Sequence, residues 1–151
     1  METRDLQVGD WVEIWSYKDE NTKWYAKVLG LFEDQMEFLQ IEHDGTNGSI
    51  GTRPVKDCRP LEINDEFLCR CGFSFHDDYG EHSMIIWWKR AFDNYNRFVT
   101  VKHMDLGYGW FWQVHIDDQD CDSIGSVCVE NVHQLQQFMR ICGVKEELEK
   151  I

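Results

Sequence analysis

The feature that most restricts this chain is a period of two. It runs through 8–15 (VGDWVEIW), 23–32 (KWYAKVLGLF), 35–42 (QMEFLQIE), 83–90 (SMIIWWKR), 96–103 (NRFVTVKH), 109–116 (GWFWQVHI) and 126–132 (SVCVENV). Alternation of this kind sends successive side chains to opposite faces of an extended strand, so each stretch is stable only when paired with neighbours. Turn formers stand between them. Glu33-Asp34 joins the second stretch to the third, and 43–54 (HDGTNGSIGTRP) holds Asp-Gly and Asn-Gly, which supply positive φ to a tight hairpin or loop. The first group predicts a small barrel or strongly twisted sheet, and the last four stretches an antiparallel meander.

Two segments break that period. In 63–73 (INDEFLCRCGF), Asn64 suits an N-cap, Asp65 and Glu66 suit the positive end of a helix, and Gly72 suits its stop. A short helix is expected there, with Phe67, Leu68 and Cys71 on one face. In 131–143 (NVHQLQQFMRICG), Leu135, Phe138, Met139 and Cys142 recur at helical spacing between a capping Asn131 and a terminating Gly143. His133, Gln134, Gln136 and Gln137 fall mostly outside that stripe, so a packing helix is the simpler reading than a reactive site.

The expected fold class is therefore α+β: a β-rich, barrel-like N-terminal unit, a short central helix, an antiparallel β-meander and a C-terminal packing helix. At 151 residues, 42% hydrophobic and with seven Trp, the chain suffices for one packed domain. No repeat or Pro/Gly-rich linker divides it. Residues 1–151 are read as a single domain with sub-units 1–62 and 63–151, the best boundary lying at 55–63.

Charge narrows the functions. The net charge is −13, with 13 acids against 7 bases in residues 1–62 and 15 against 8 in 63–151, so the excess is not an acidic tail. Such a surface repels phosphate backbones, which argues against direct binding of nucleic acid and leaves a solubility surface or a contact with a basic partner. No apolar run reaches the length of a membrane helix, and METRDLQVGD has neither a basic start nor an apolar core for export. A cytoplasmic protein without a membrane partner is expected. Its six cysteines are accordingly read as reduced, mostly packing thiols.

Three chemical constellations compete with plainer identities. Cys69, Cys71, His76 and His82 offer zinc-ligand types within a short span, but Cys-x-Cys on a helix directs its thiolates to opposite sides. Asp118, Asp120 and Asp122 open like a calcium loop, yet Ser123 stands where Gly is needed and Val129 where the bidentate Glu belongs. A solvated acidic hairpin is the simpler identity. For catalysis, no nucleophile elbow, phosphate loop, metalloprotease helix or dinucleotide fingerprint is present. An enzyme would need His76, His82, His103 or His115 to converge on a carboxylate such as Asp77 or Asp78. The expectation is a protein without enzymatic activity, metal or cofactor.

The aromatics are less easily absorbed. Alternation sends neighbouring rings of Trp87-Trp88 and of Trp110-Phe111-Trp112 to opposite faces, one of which is the core. The other must be covered or used. Trp87, Trp88, Trp110 and Trp112, with the acids Asp117, Asp118, Asp120 and Asp122, form the candidate surface for a protein partner. The alternative is a small aromatic or nucleotide-like ligand stacked on Trp, with Lys89, Arg90, Arg97 and Lys102 as the compact basic group it would require.

Three blocks add a resemblance. These are Val8-Gly9-Asp10-Trp11-Val12; Pro60 with Ile63-Asn64-Asp65-Glu66-Phe67-Leu68 running to Gly72-Phe73; and Val132-His133-Gln134-Leu135-Gln136-Gln137-Phe138 followed by Glu146-Glu147-Leu148. Together and in this order they resemble a family of small uncharacterised proteins encoded by phages and mobile elements of gut anaerobes, the last block being the most specific. Cys69 and Cys71 stand where that family has apolar or unconstrained residues, which favours packing over metal. The resemblance implies an accessory protein that acts on a host component in the host cytoplasm, and it implies a partner-specific surface within about residues 74–130. It transfers no activity.

Overall fold

The computed structural model describes residues 1–19, 21–41, 46–80, 83–105, 107 and 109–149, with side chains for all of these except 77–80, 83 and 84. Two five-stranded antiparallel sheets form, built from the alternating stretches and three further strands. The chain divides into two compact units, Met1–Glu62 with Asn131–His133, and Ile63–Glu130 with Gln134–Ile151.

In the first unit, β1 (Trp11–Trp15), β2 (Lys23–Phe32), β3 (Gln35–Ile41), β4 (Asn47–Pro54) and β5 (Arg59–Pro60) lie in the order β4-β3-β2-β1-β5. Val12, Ile14, Ala26, Val28, Met36 and Phe38 alternate onto one face and pack with Leu6, Val55 and Cys58. Gly9, at φ 92, makes the entry turn, where the Asp10 carboxylate accepts the Gln7 amide at 2.9 Å. The sheet is open. Its edges are β4 and β5, so the expected barrel-like closure is not observed.

Of the hairpin or loop expected at 43–54, residues 43–45 lie outside the described residues, and 47–54 form a strand. Their glycines signal a turn, yet one of them is what lets the strand form. Gly51 pairs with Phe38, and a Cβ at 51 would stand 2.8 Å from the Phe38 ring. The ring covers the bare backbone, which replaces the cross-strand contact that a glycine cannot make.

The second unit begins with α1 (Asp65–Arg70). The Asn64 side chain accepts the Phe67 amide at 2.8 Å, and Gly72 at φ 78 ends the helix. A meander follows: β6 (Ser74–Gly80), β7 (Ser83–Phe92), β8 (Arg97–Asp105), β9 (Trp110–Asp118) and β10 (Ser123–Val129), paired in sequence order. Strand β6, which holds His76, Asp77 and Asp78, is not among the expected alternating stretches. Its composition is poor for a strand, and seven consecutive pairings with β7 supply the stability that propensity does not.

Helix α2 (Val132–Ile141) ends as anticipated: Gly143 has φ 78, and the Val144 amide reaches back to the Met139 carbonyl at 3.0 Å. Its polar side is less exposed than the apolar stripe suggested, since His133 and Gln136 are buried beside Val132, Leu135 and Met139. Beyond the helix, Glu146 pairs with Arg90 and accepts the Asp93 amide, while the Asp93 carboxylate accepts the Lys145 and Glu146 amides. Leu148 is buried. The acidic C-terminal block is thus fastened to the β7–β8 turn.

Candidate functional site

The registers of β6 to β10 assign every ring to a face. One cross-strand row runs Phe75, Trp88, Val101, Val114, Val127, and the next runs Ile86, His103, Trp112, Val129. This is the inner face. Trp88 is 3% exposed, and Val99, Val101, Val114 and Ile116 are fully buried. Helix α2 lies over it, because a Cβ at Gly125 would meet the Phe138 ring at 3.1 Å and the Cys142 sulfur at 3.4 Å. The Trp88 ring sits 5.4 Å from Trp112 and 5.5 Å from Phe75, and its Nε1 has no acceptor among the described residues. His103 stacks on Trp112 at 4.1 Å and 11°, with Trp110 beside it at 4.7 Å. Burial lowers the His103 pKa, opposed by the Asp65 carboxylate, so the ring behaves as a neutral member of an aromatic ladder.

The opposite face carries the row His76, Trp87, Lys102, Gln113, Cys128. His76 lies flat on Trp87 at 4.1 Å and 10°. Beside this row stand Ile85, Met104 and Phe111 on one side and Lys89, Thr100 and His115 on the other. Met104 and Thr100 are buried; Ile85, Trp87, Lys89, Phe98, Lys102, Phe111 and Gln113 are half-buried and reach solvent. Such a face mixes aromatic area with hydrogen-bonding groups, the composition found at the centres of protein contacts.

The structure therefore separates the candidate tryptophans. Trp88 belongs to the core, Trp112 is half-buried against His103, Trp110 is 47% exposed at the rim of the inner face, and Trp87 alone lies on the outer face. The acids gather at the β9–β10 turn with distinct tasks. Asp118 Oδ1 accepts the Asp120 and Asp122 amides, at 2.9 and 3.0 Å, and so builds the turn. Asp117 binds His115 Nε2 at 2.8 Å. Asp120 and Asp122 are exposed.

The alternative basic group does not converge. Lys89, above the Phe98 ring at 5.1 Å, and Lys102 lie on the outer face. Arg90 and Arg97 lie on the inner face, where Arg90 donates to the Cys71 carbonyl and Arg97 to those of Asn96 and Cys142. Nor do the metal ligands meet. Cys69 is exposed and Cys71 buried on the other side of the helix end, His76 is stacked on Trp87, and His82 lies outside the described residues. Among the described residues no group of three or more His, Cys, Asp or Glu side chains is placed to hold a metal ion. The histidines are likewise distributed, His103 on the inner face and His76 and His115 three strands apart on the outer one. No helix among the described residues is long and apolar enough to cross a membrane.

Sequence reasoning missed a second site, in the first unit. A cleft of about 610 Å³ is lined by Trp15, Ser16, Tyr17, Asn21, Lys23, Arg53, Lys56, Asp57 and Arg59. Arg53, 8% exposed, donates to the Trp15 carbonyl at 2.6 Å and lies under the Tyr17 ring at 4.2 Å. Arg59 lies on the Trp15 ring at 3.5 Å. Lys23 is paired with Glu13 at 3.3 Å. Four of the seven bases in residues 1–62 thus collect in one place. They are dispersed along the sequence: the pairing of β1 with β2 and β5 sets Lys23 and Arg59 on the strands beside it, and Arg53 joins them through its bond to the Trp15 carbonyl.

No family model matches the chain, and neither a curated protein nor a solved structure does.

Proposed function

We propose that this is a non-enzymatic binding protein whose second sheet presents its outer face to a partner polypeptide. The observation that carries the reading is the row His76, Trp87, Lys102, Gln113, with Ile85 and Phe111 beside it, partly open to solvent on the face opposite α2. A half-exposed Trp flanked by hydrogen-bonding groups is the kind of anchor that dominates contact energies. Charge selects the partner: two copies at −13 repel each other, whereas a basic surface is attracted and meets the exposed Asp120 and Asp122 at the edge of the same sheet. The resemblance to phage and mobile-element proteins supplies the setting. On that reading the partner is a host protein of the cytoplasm, and the contact blocks its activity.

The test is a partner captured from host lysate, identified, purified and titrated against the chain. Trp87→Ser should weaken the complex by tenfold or more, on the order of a hot-spot loss. Asp120→Asn with Asp122→Asn should mainly slow association and flatten its salt dependence. A purified partner that binds Trp87→Ser as tightly as the native chain refutes this surface.

A further inference from the structure

We infer that the cleft of the first unit is a site for a free nucleotide, its base on the open face of Tyr17 and its phosphates between Lys56, Arg59 and Arg53. The inference is independent of the sheet face of the second unit.

Its starting point is a contrast of charge. In a chain of −13, this cleft is lined, among the described residues, by four cations against one carboxylate, Asp57. Lys23 is partly neutralised by Glu13, so three cations remain for a ligand. Lys56 and Arg59 are exposed, and neither forms an ion pair among the described residues. Two cations that line one cleft without an ion pair among the described residues mark the place of an anion.

The rings specify what kind of anion. Tyr17 is 75% exposed although one face is held by the Arg53 guanidinium, so its other face is free to take a planar group. Arg59 lies over the Trp15 ring at 3.5 Å, a contact that holds the guanidinium and leaves N–H groups to donate to a phosphate. Arg53 is anchored by the Trp15 carbonyl and lines the cleft. The Tyr17 hydroxyl reaches Asp57 only at 3.5 Å, too long to restrain the ring strongly. Cations already occupy one ring face each, which disfavours a cationic ligand and favours an anionic one. A volume of about 610 Å³ lies within the range that encloses small cofactors and nucleotides.

Free nucleotides fit better than a polynucleotide. Base stacking on an aromatic platform is tolerant of base identity, so purine nucleotides in general are expected to bind. A long phosphate chain would extend past the cleft onto a surface with 13 acids in residues 1–62 alone.

The experiment is calorimetric titration of the purified full chain with ADP and GDP, alongside adenosine, inorganic pyrophosphate and a short single-stranded oligonucleotide. Both diphosphates should bind at least tenfold more tightly than adenosine or pyrophosphate alone. Lys56→Ala and Arg59→Ala should each weaken ADP about tenfold, the loss of one charge-assisted contact. Lys56 makes no contact that the fold requires, so its substitution separates lost binding from lost folding, and Lys145→Ala in the second unit should change nothing. Absence of heat with either nucleotide to millimolar concentration overturns the assignment. Pyrophosphate binding as well as ADP removes the role of Tyr17, tighter binding of the oligonucleotide replaces a nucleotide pocket by a strand-binding groove, and native affinity in both cation variants places the ligand elsewhere.

Discussion

Cys58 gives the first unit an alkaline weakness whose size follows from its position. The thiol is 2% exposed in the core formed by Val12, Ile14, Val28 and Val55, and its sulfur lies 3.6 Å from the Pro54 carbonyl. Burial pushes its pKa from the ordinary 9.0 up to about 11, with Arg53 opposing and Asp57 reinforcing the rise. Because the unfolded chain releases this proton first, the unfolded state binds fewer protons between those two values, and stability falls as pH rises. Well below pH 9 both states keep the proton and nothing is lost. At pH 10 the loss is about 1 kcal/mol, and at pH 11 it is roughly 2 kcal/mol. Lysines and tyrosines titrate in the same range, so the quantity to follow is the difference between the native chain and Cys58→Ala. That substitution carries its own cost for the vacated volume, which does not depend on pH. Urea unfolding under reducing conditions at pH 8, 9, 10 and 11 should show the native chain losing its advantage over Cys58→Ala by these amounts. An advantage that stays constant from pH 8 to pH 11 would refute the burial argument.

Gly51→Ala should destabilise the chain by about 1–3 kcal/mol, because the new Cβ would stand 2.8 Å from the Phe38 ring, which must move within a packed core; thermal melting of Gly51→Ala beside Gly51→Ala with Phe38→Leu should show partial recovery in the double variant. Asn64→Ala removes the acceptor of the Phe67 amide and should cost about 1 kcal/mol, read by urea unfolding, while Asn64→Ser should retain most of the stability.

What could be read from the sequence depended on whether a local signal was enough. The five strands with clear alternation among 23–41 and 83–118, the cap at Asn64 and the stops at Gly72 and Gly143 all rest on interactions between near neighbours, and all are present. Strand β4 escaped because Gly48 and Gly51 announce a turn, and only its partner Phe38 makes the strand viable. Strand β6 escaped because an edge position tolerates the polar run Ser-Phe-His-Asp-Asp that a central strand would not. His133 and Gln136 were placed on a polar side that is in fact buried, and burial lowers the His133 pKa despite Asp10 and Asp5. Alternation did assign the tryptophans to opposite faces, but it could not say which face each would take, and so Trp88 was counted with the surface candidates.

The basic cleft shows why a net charge is a poor guide to a local one. At physiological ionic strength, charges beyond about 8 Å are largely screened from one another. A ligand no longer than a nucleotide therefore responds mainly to Arg53, Lys56 and Arg59, whatever the sum over the chain. A polyanion many times that length samples the remaining acids as well, and for it the sum of −13 matters. The same number that argues against a nucleic-acid partner is thus silent about a mononucleotide. Ligand length becomes the variable that separates the two: affinity should be highest for a single nucleotide, and should fall once the chain of phosphates outgrows the cleft.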